Sequence, residues 1–279
     1  MKIGTHPIVH VSTTENQLIT QQRTGLINIL NLTEKYGYVK QFEINNNYSG
    51  FAKGELHEER NLFAAPKDTT DIAIIDIENG KEINLLKPEE TAIQQITSLK
   101  MVTLSNGDLY ILGGYESGHL LLWDLKTSSV ISELLYSFPI TAIDYDLVSN
   151  RGLLTGAGAN IICGFGIERA SLQLSKKGGE AENIDLTPKD ETKIKVDFVN
   201  CIKIRPDKKC LVVGDSNGIV NIHSWKSLRK LTALKVSSIK RILTIIKLTI
   251  YFSITLRSIK MKSPTLHFRM KAFVTSSHL

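Results

Sequence analysis

The sequence predicts an all-β fold of repeated four-stranded units, a β-propeller, and three observations support this. A turn, an apolar run and Trp-Asp follow one another at residues 113–125. Four other segments show the same order of turn and apolar strand. The five segments recur near the ~40–45 residues that a blade of four short strands needs.

The segment GGYESGHLLLWDL, residues 113–125, is the most regular of the five. A glycine-rich turn precedes an unbroken apolar strand that closes on Trp123 and Asp124, which is the pattern of a WD40 repeat. We call the position of Trp123 the W slot and that of Asp124 the D slot. Aligning the segments gives the W-slot residues Leu30, Ile75, Trp123, Phe165 and His223.

The separations between successive W slots are 45, 48, 42 and 58 residues. The first three fit one blade each, whereas the last includes a charged insertion at residues 171–195. We expect this insertion to be a surface loop between blades, since it contains Gly178, Gly179 and Pro188 and no aromatic residue. An ordinary β-sandwich is the alternative fold, but it gives no reason for turn, strand and slot to repeat at a fixed period.

The turns between apolar runs complete the predicted blades. Asn106-Gly107-Asp108 joins two strands, and Asn-Gly is a strong hairpin signal because both residues accept positive φ. Related layouts appear at residues 140–167 and 198–225. The buried polar chain of strong WD40 blades is largely missing here. We therefore expect packed Leu, Ile and Val layers to supply most of the stability, at ~25 cal/mol per Å² buried.

Four short stretches resemble one WD40 family, that of guanine nucleotide-binding protein subunit beta-like protein 1 and its fungal counterpart, ASTRA-associated protein 1. They are YESGHLLLWD (115–124), PITAIDYD (139–146), IRPD (204–207) and HSWKSLR (223–229). The resemblance implies a seven-bladed propeller, of which this chain holds about five blades. It also implies accessory protein partners in the triple-T co-chaperone complex that matures PI3-kinase-related kinases. In fungi it implies the ASTRA assembly, tied to chromatin remodelling, and hence the cytoplasm or the nucleus.

Charge and composition separate a propeller region, residues 1–235, from a basic tail, residues 236–279. The tail has eight basic residues, no acidic residue, no Gly and no Trp, so it does not match a blade. The whole chain has a net charge of +6, but without the tail 26 basic residues face 28 acidic ones. The basic balance therefore belongs to the tail, and the propeller region does not have the charge of a nucleic-acid-binding domain.

Three interpretations of the tail remain open from the sequence. It is the product of a retained intron, a frameshift or a truncated gene model; or a divergent last blade; or a basic tail that binds membrane or nucleic acid. Under the first, the chain is a truncated product without independent function. The longest uncharged stretch there, residues 248–256, is far shorter than the ~18–20 residues of a membrane span.

The chemistry-bearing residues do not predict an enzyme or a cofactor. Neither a Gly-x-Ser-x-Gly motif nor a phosphate loop at a helix start is present. Cys163, Cys201 and Cys210 have no metal spacing and form no even disulfide set, and no secretory signal is visible, so we expect an intracellular, reducing compartment. His57 lies beside two carboxylates, but no other ligand cluster is placed to complete a metal site. No metal and no small-molecule substrate are predicted.

The sequence thus predicts a non-catalytic scaffold for protein–protein interaction. A generic adaptor like a G-protein β subunit is the alternative, disfavoured because the chain lacks the heptads of an N-terminal coiled coil. Propellers bind through loops at one rim, formed by the turns between second and third strands. Among those turns we expect Tyr115, Glu116 and Asp215 to contact partners, since an aromatic beside acids can anchor a basic or polar segment.

Overall fold

The described residues of this computed structural model are 6–34, 37–170, 183–194 and 198–235. They form five antiparallel sheets of four strands, and within each sheet the spatial order of the strands follows their order in the chain. The one helical segment in these ranges is a 3₁₀ turn at Glu58–Arg60. The predicted all-β, incomplete propeller is confirmed. The basic tail, 236–279, lies outside the described residues.

The strands divide into five blades of four. Blade 1 contains β1 (Ile8–Thr13), β2 (Gln17–Gln22), β3 (Leu26–Leu32) and β4 (Tyr38–Asn45). Blade 2 contains β5 (Glu55–His57), β6 (Leu62–Lys67), β7 (Asp71–Asp76) and β8 (Lys81–Leu86). Blade 3 contains β9 (Ile96–Thr103), β10 (Leu109–Tyr115), β11 (His119–Asp124) and β12 (Ser129–Leu135). Blade 4 contains β13 (Ile140–Asp146), β14 (Arg151–Gly156), β15 (Ile161–Ala170) and β16 (Asn183–Lys193). Blade 5 contains β17 (Val199–Ile204), β18 (Cys210–Asp215), β19 (Ile219–Ser224) and β20 (Lys230–Lys235).

The W-slot residues occupy one structural position in all five described blades. Each is the fifth residue of its blade's third strand, and at most 2% of its surface is exposed. The pairing of the third strand with the fourth shifts register at the slot in every blade. A β-bulge therefore marks the slot. In the D slot of blade 3, Asp124 Oδ1 accepts the N–H of Lys126 at 2.9 Å and so fixes the turn that follows.

Apolar layers fill the space between consecutive blades. Trp123 and Ile74 belong to the layer between blades 2 and 3, and Leu122 and Phe165 belong to the layer between blades 3 and 4. Similar layers join blade 1 to blade 2 and blade 4 to blade 5. Blade stability in the described ranges therefore depends on Leu, Ile, Val and aromatic packing.

A row of polar residues crosses the innermost strands at one register position. Each member lies on the first strand of its blade and pairs with a residue of the second strand. That second-strand residue pairs in turn with the third-strand residue that precedes the W slot. In chain order the row reads Ser12, Glu55, Lys100, Asp144 and Lys203. We call the four charged members the inner charge row. Because their signs alternate, each charge faces an opposite charge on the next blade.

Ion pairs connect the inner charge row across blades 2 to 5. Lys100 Nζ lies 2.6 Å from Glu55 Oε1 and 3.3 Å from Asp144 Oδ1, and Lys203 Nζ lies 3.2 Å from the same Asp144 oxygen. Burial alone would lower the pKa of Lys100, but the two carboxylates outweigh it and raise that pKa. Burial would likewise raise the pKa of Asp144, and the two lysines with the Ile204 amide lower it. Both groups are therefore ionised at neutral pH.

Side-chain hydroxyls also join consecutive blades. The Tyr48 hydroxyl donates to the Ile96 carbonyl at 2.9 Å, where blade 3 begins. The Thr97 hydroxyl donates to the carbonyl of Ile140, the first residue of blade 4. The Thr141 hydroxyl donates to the carbonyl of Val199, the first residue of blade 5, at 2.6 Å. The first residues of blades 4 and 5 are thus held by the blade before, and that of blade 3 by the connection between blades 1 and 2.

The insertion at residues 171–195 does not lie between blades, as the sequence had suggested. It belongs to the hairpin inside blade 4, and its second half forms strand β16. Ile184 and Leu186 bury their side chains against the layer between blades 3 and 4. Pro188 is tolerated because β16 is the outermost strand, where one N–H needs no ladder partner. Residues 171–182 and 195 of the insertion lie outside the described residues.

The glycine-rich turn predicted at residues 113–118 is shorter than expected. Gly113 and Gly114 lie inside β10, and the turn itself follows Tyr115. A Cβ at Gly114 would lie 2.4 Å from Ser98 Oγ and 2.7 Å from a methyl group of Ile140. Glycine is needed there because blades 3 and 4 approach closely, and not because the backbone turns.

Candidate interaction surface

The turns between second and third strands lie at the same end of the blades as the connections from one blade to the next. We call this end the upper rim and the opposite end the lower rim. The upper rim includes the connections at residues 46–54, 87–95 and 136–139. All three residues predicted to contact partners, Tyr115, Glu116 and Asp215, belong to turns at this rim.

Tyr115 is not exposed at the rim, which corrects its predicted role. Its side chain is 0% exposed and packs with Trp123 in the layer between blades 2 and 3. The ring folds back over Gly113, where an added Cβ would lie 3.0 Å from the Tyr115 Cε2 atom. Burial raises the pKa of Tyr115. Tyr115 therefore supports the rim from beneath and has no surface to offer a partner.

Asp215 likewise serves the turn that contains it. Only 8% of its surface is exposed, and its Oδ1 atom accepts the N–H of Ile219 at 2.8 Å. This bond closes the turn between β18 and β19, where Gly218 has a φ of +73°. The structure thus gives Asp215 a role in fixing the backbone, and its predicted role in partner contact is corrected.

Glu116 is exposed at the upper rim. Its backbone N–H donates to the Gln95 carbonyl at 2.8 Å, which ties the turn of blade 3 to the connection that enters the blade. Of the three rim residues chosen from the sequence, Glu116 alone is accessible to a partner. Its role in recognition stays a prediction.

The most exposed aromatic side chain of the described residues is Phe51, at 68% exposure. It lies on the upper rim, in the connection between blades 1 and 2. The Arg23 guanidinium carbon is 4.2 Å from the centre of the Phe51 ring, a cation–π arrangement. Sequence reasoning missed this pair because 28 positions separate its members and no motif contains either.

Hydrogen bonds hold the Phe51 connection on both sides. The Gly50 N–H donates to the Arg23 carbonyl at 3.2 Å, and Gln95 Nε2 donates to the Ser49 carbonyl at 2.7 Å. Gln95 also accepts the bond from Glu116, so the contacts run continuously over three blades. We call Arg23, Phe51, Gln95 and Glu116 the Phe51 patch.

One contact resembles the nucleophile–base pair of an enzyme. His57 Nε2 lies 2.8 Å from Thr103 Oγ1, but His57 Nδ1 is buried without a hydrogen-bond partner in the described structure. A base needs a third group to orient it, so this pair is not a catalytic triad. The His223 Nδ1 atom lies 2.8 Å from the Leu228 carbonyl inside the core, where a substrate could not reach it. Cys163 and Cys210 are buried and all three cysteines are free.

A second group of side chains meets where blade 3 contacts the connection that enters it. Glu90 comes from the connection between these blades, His119 begins β11, and Glu133 lies on β12. One ligand atom from each lies within 4.8 Å of the other two. The sequence gives no signal for this cluster because its members are 29 and 14 residues apart on three different elements.

Comparisons with known proteins agree with the geometry. Guanine nucleotide-binding protein subunit beta-like protein 1 of Mus musculus is 24% identical over 196 residues, which are 68% of this chain and 56% of that protein. A chain in the crystal structure of the mitotic checkpoint complex matches with a TM-score of 0.61 and 14% identity, over 83% of this chain and 65% of that one. The chain thus spans between half and two thirds of the proteins it matches.

These similarities support the predicted resemblance to WD40 proteins. No family model matches the sequence. The likeness to the solved structure concerns the fold alone, at 14% identity. Within the described ranges, no helix is long and apolar enough to cross a membrane.

Proposed function

We propose that this chain is a non-catalytic WD40 scaffold that binds a partner protein through the Phe51 patch. The observation that carries the proposal is an exposed aromatic ring, covered on one face by an arginine, on a connection that Arg23 and Gln95 hold by hydrogen bonds. Aromatic and arginine side chains dominate the binding energy of protein interfaces. A rigid aromatic loses little conformational entropy when it is buried by a partner.

The charges of the patch indicate the chemistry of the partner segment. Arg23 covers one face of the Phe51 ring, which leaves the other face and the ring edge for an apolar side chain. Glu116 lies at the other end of the patch and suits a lysine or an arginine. The partner segment therefore carries both an apolar anchor and a basic residue, spaced to reach the two ends of the patch.

The resemblance supports a finer proposal about the partner. The similarity to guanine nucleotide-binding protein subunit beta-like protein 1 favours an accessory role with the triple-T co-chaperone complex that matures PI3-kinase-related kinases. In a fungal cell the same role belongs to the ASTRA assembly in chromatin remodelling. We propose the cytoplasm and the nucleus as its compartments.

Co-purification tests the proposal. Phe51→Ala should reduce recovery of the triple-T complex at least tenfold, because loss of an aromatic hot spot costs about 2 kcal/mol or more. Val148→Ala is the matched control, since Val148 is 82% exposed at the lower rim. Glu116→Lys should also reduce recovery, while Glu116→Gln should have a smaller effect.

Two outcomes would argue against this surface. If Phe51→Ala and Val148→Ala recover the complex equally well, the Phe51 patch is not the binding site. If deletion of residues 171–182 abolishes recovery instead, the insertion carries recognition. Recovery of other proteins through an intact Phe51 patch, without any triple-T component, would retain the scaffold function and reject the finer proposal.

A further inference from the structure

The cluster of Glu90, His119 and Glu133 has an arrangement that the Phe51 patch does not use. His119 is 7% exposed, and its Nδ1 atom lies 2.7 Å from Ser117 Oγ. Ser117 Oγ also accepts the Gln94 N–H at 3.3 Å, so the hydroxyl is fixed in place. An oxygen with two lone pairs can accept from Gln94 and from an Nδ1–H of His119 together. That tautomer leaves the Nε2 lone pair of His119 free.

The Nε2 atom of His119 points at the two carboxylates without forming a hydrogen bond. Its nearest charged neighbour is Glu133 Oε1 at 3.7 Å, which is beyond hydrogen-bond length. Within the described ranges, no lysine or arginine forms an ion pair with Glu90 or Glu133. A buried imidazole therefore meets two carboxylates that no described lysine or arginine pairs with.

From this geometry we propose that Glu90, His119 and Glu133 form a binding site for a divalent transition metal ion, with Zn²⁺ as the best match. Imidazole nitrogen and carboxylate oxygen are ordinary zinc ligands, and a hydrogen bond on the second ring nitrogen is typical of a ligating histidine. Bound ligand atoms lie about 2.0 Å from zinc and hence about 3.3 Å from one another in a tetrahedron.

The ligand atoms must therefore approach one another by up to roughly 1.5 Å from their 4.8 Å limit when the metal binds. Glu90 and Glu133 are exposed, and Glu90 lies on a connection rather than on a strand, so this movement needs only side-chain and loop adjustment. A water molecule completes the fourth position. The bound ion ties the connection at residues 87–95, which includes Gln95, to blade 3.

Metal titration of the full-length chain tests the site. After treatment with a chelator, Zn²⁺ binding is measured by calorimetry, and Co²⁺ binding by its visible absorption. One ion should bind per chain, and His119→Ala and Glu133→Gln should each weaken binding at least tenfold. Ser117→Ala should weaken it about tenfold through loss of the orienting bond. Glu89→Gln, in the same connection but outside the cluster, should bind like the wild type.

Two results would overturn the proposal. One is the absence of stoichiometric binding by the wild-type chain. The other is equal affinity in the wild type, Glu133→Gln and Glu90→Gln, since both glutamates are exposed and their variants should keep the fold. At one Zn²⁺ concentration, the melting temperature of the wild type and of Glu89→Gln should rise by similar amounts, and that of Glu133→Gln by less.

Discussion

Blade 3 has the same four strands as blades 1 and 5, the first and last described blades. It differs from them because a described blade lies on each side of it. In blade 3, Lys100 contacts a carboxylate on each side, whereas Lys203 of blade 5 contacts Asp144 on one side and is 54% exposed. Ser12, the row member of blade 1, has a buried hydroxyl with no hydrogen-bond partner in the described structure. A W slot filled by Trp123 in blade 3 is filled by His223 in blade 5.

Equivalent positions in different blades therefore contribute different amounts to the free energy of unfolding. The register fixes where a side chain lies, but the blades on either side decide what it contributes. A charge with a partner on both sides is desolvated and compensated at once, and its loss leaves its partners buried and unpaired. A charge at the end of the row keeps part of its hydration, so its loss costs little.

The W slot should show a clear contrast in stability between blades 3 and 5. Trp123→Ala should destabilise the chain by about 3–5 kcal/mol, because a large side chain is removed from a fully buried site. His223→Ala should cost about 1–3 kcal/mol, mainly through the lost bond to the Leu228 carbonyl. Urea titration measures both, and equal losses would contradict the contrast between the two blades.

The inner charge row offers a second test of the same contrast. Lys100→Met should cost about 3–5 kcal/mol, because it leaves the Glu55 and Asp144 carboxylates without their shared cation. Lys203→Met, its matched control, should cost less than about 1 kcal/mol. If adding Asp144→Asn to Lys100→Met restores no stability, the two residues are not coupled through this ion pair.

Blades 1 and 4 should lose stability over different ranges of acid pH. Burial lowers the pKa of His10 to about 4, partly opposed by Glu55, so the folded chain keeps this imidazole neutral. Its contribution is fully present above about pH 6.5, the unfolded value, and is lost as the pH falls towards 4. Because the pKa of Asp144 is lowered in the folded chain, its carboxylate stabilises the fold at neutral pH, and this stabilisation is lost only below about pH 4.

Stability measured against pH should therefore decline in two steps. His10→Gln should reduce the decline that begins below pH 6.5, and Asp144→Asn should remove the one below pH 4. Burial also lowers the pKa of His223, so only the double change His10→Gln with His223→Gln should remove the upper decline. An upper decline of unchanged size in His10→Gln would contradict the role of His10.

The hydroxyl bonds between blades should contribute less to stability than Trp123 or Lys100. Thr141→Val keeps the shape of the side chain but removes the donor to the Val199 carbonyl, and should cost about 1 kcal/mol. Thr103→Val is the comparison variant, because it removes a hydroxyl that contacts His57 between blades 2 and 3. A loss for Thr141→Val close to zero would show that water replaces the bond at the blade 5 side.

The repeat was predictable because its signal is local. The W slots at residues 30, 75, 123, 165 and 223 follow from a turn, an apolar run and a period, all of which a sequence shows directly. Strand β16 was not predicted, since its polar residues after Leu186 match a loop as well as an edge strand. The insertion had to be seen paired with β15 before its place in blade 4 was clear.

The interaction surface was predictable only in part. An aromatic in a Gly-containing turn indicates exposure, but the missing side chain of Gly113 creates the space into which the Tyr115 ring folds. The Phe51 patch, the inner charge row and the Glu90 cluster all join residues from different blades. No local pattern contains such pairs, so they become visible only when the blades are placed side by side.

The alternating signs of the inner charge row have a consequence for how a chain of this kind can change its number of blades. Duplication of one blade would set two lysines or two carboxylates against each other in the interior. Duplication of two adjacent blades would preserve the alternation and keep every neighbour opposite in sign. Within the row, duplication or loss of one internal blade should therefore cost stability through like-charge contact, whereas duplication or loss of two adjacent internal blades should not.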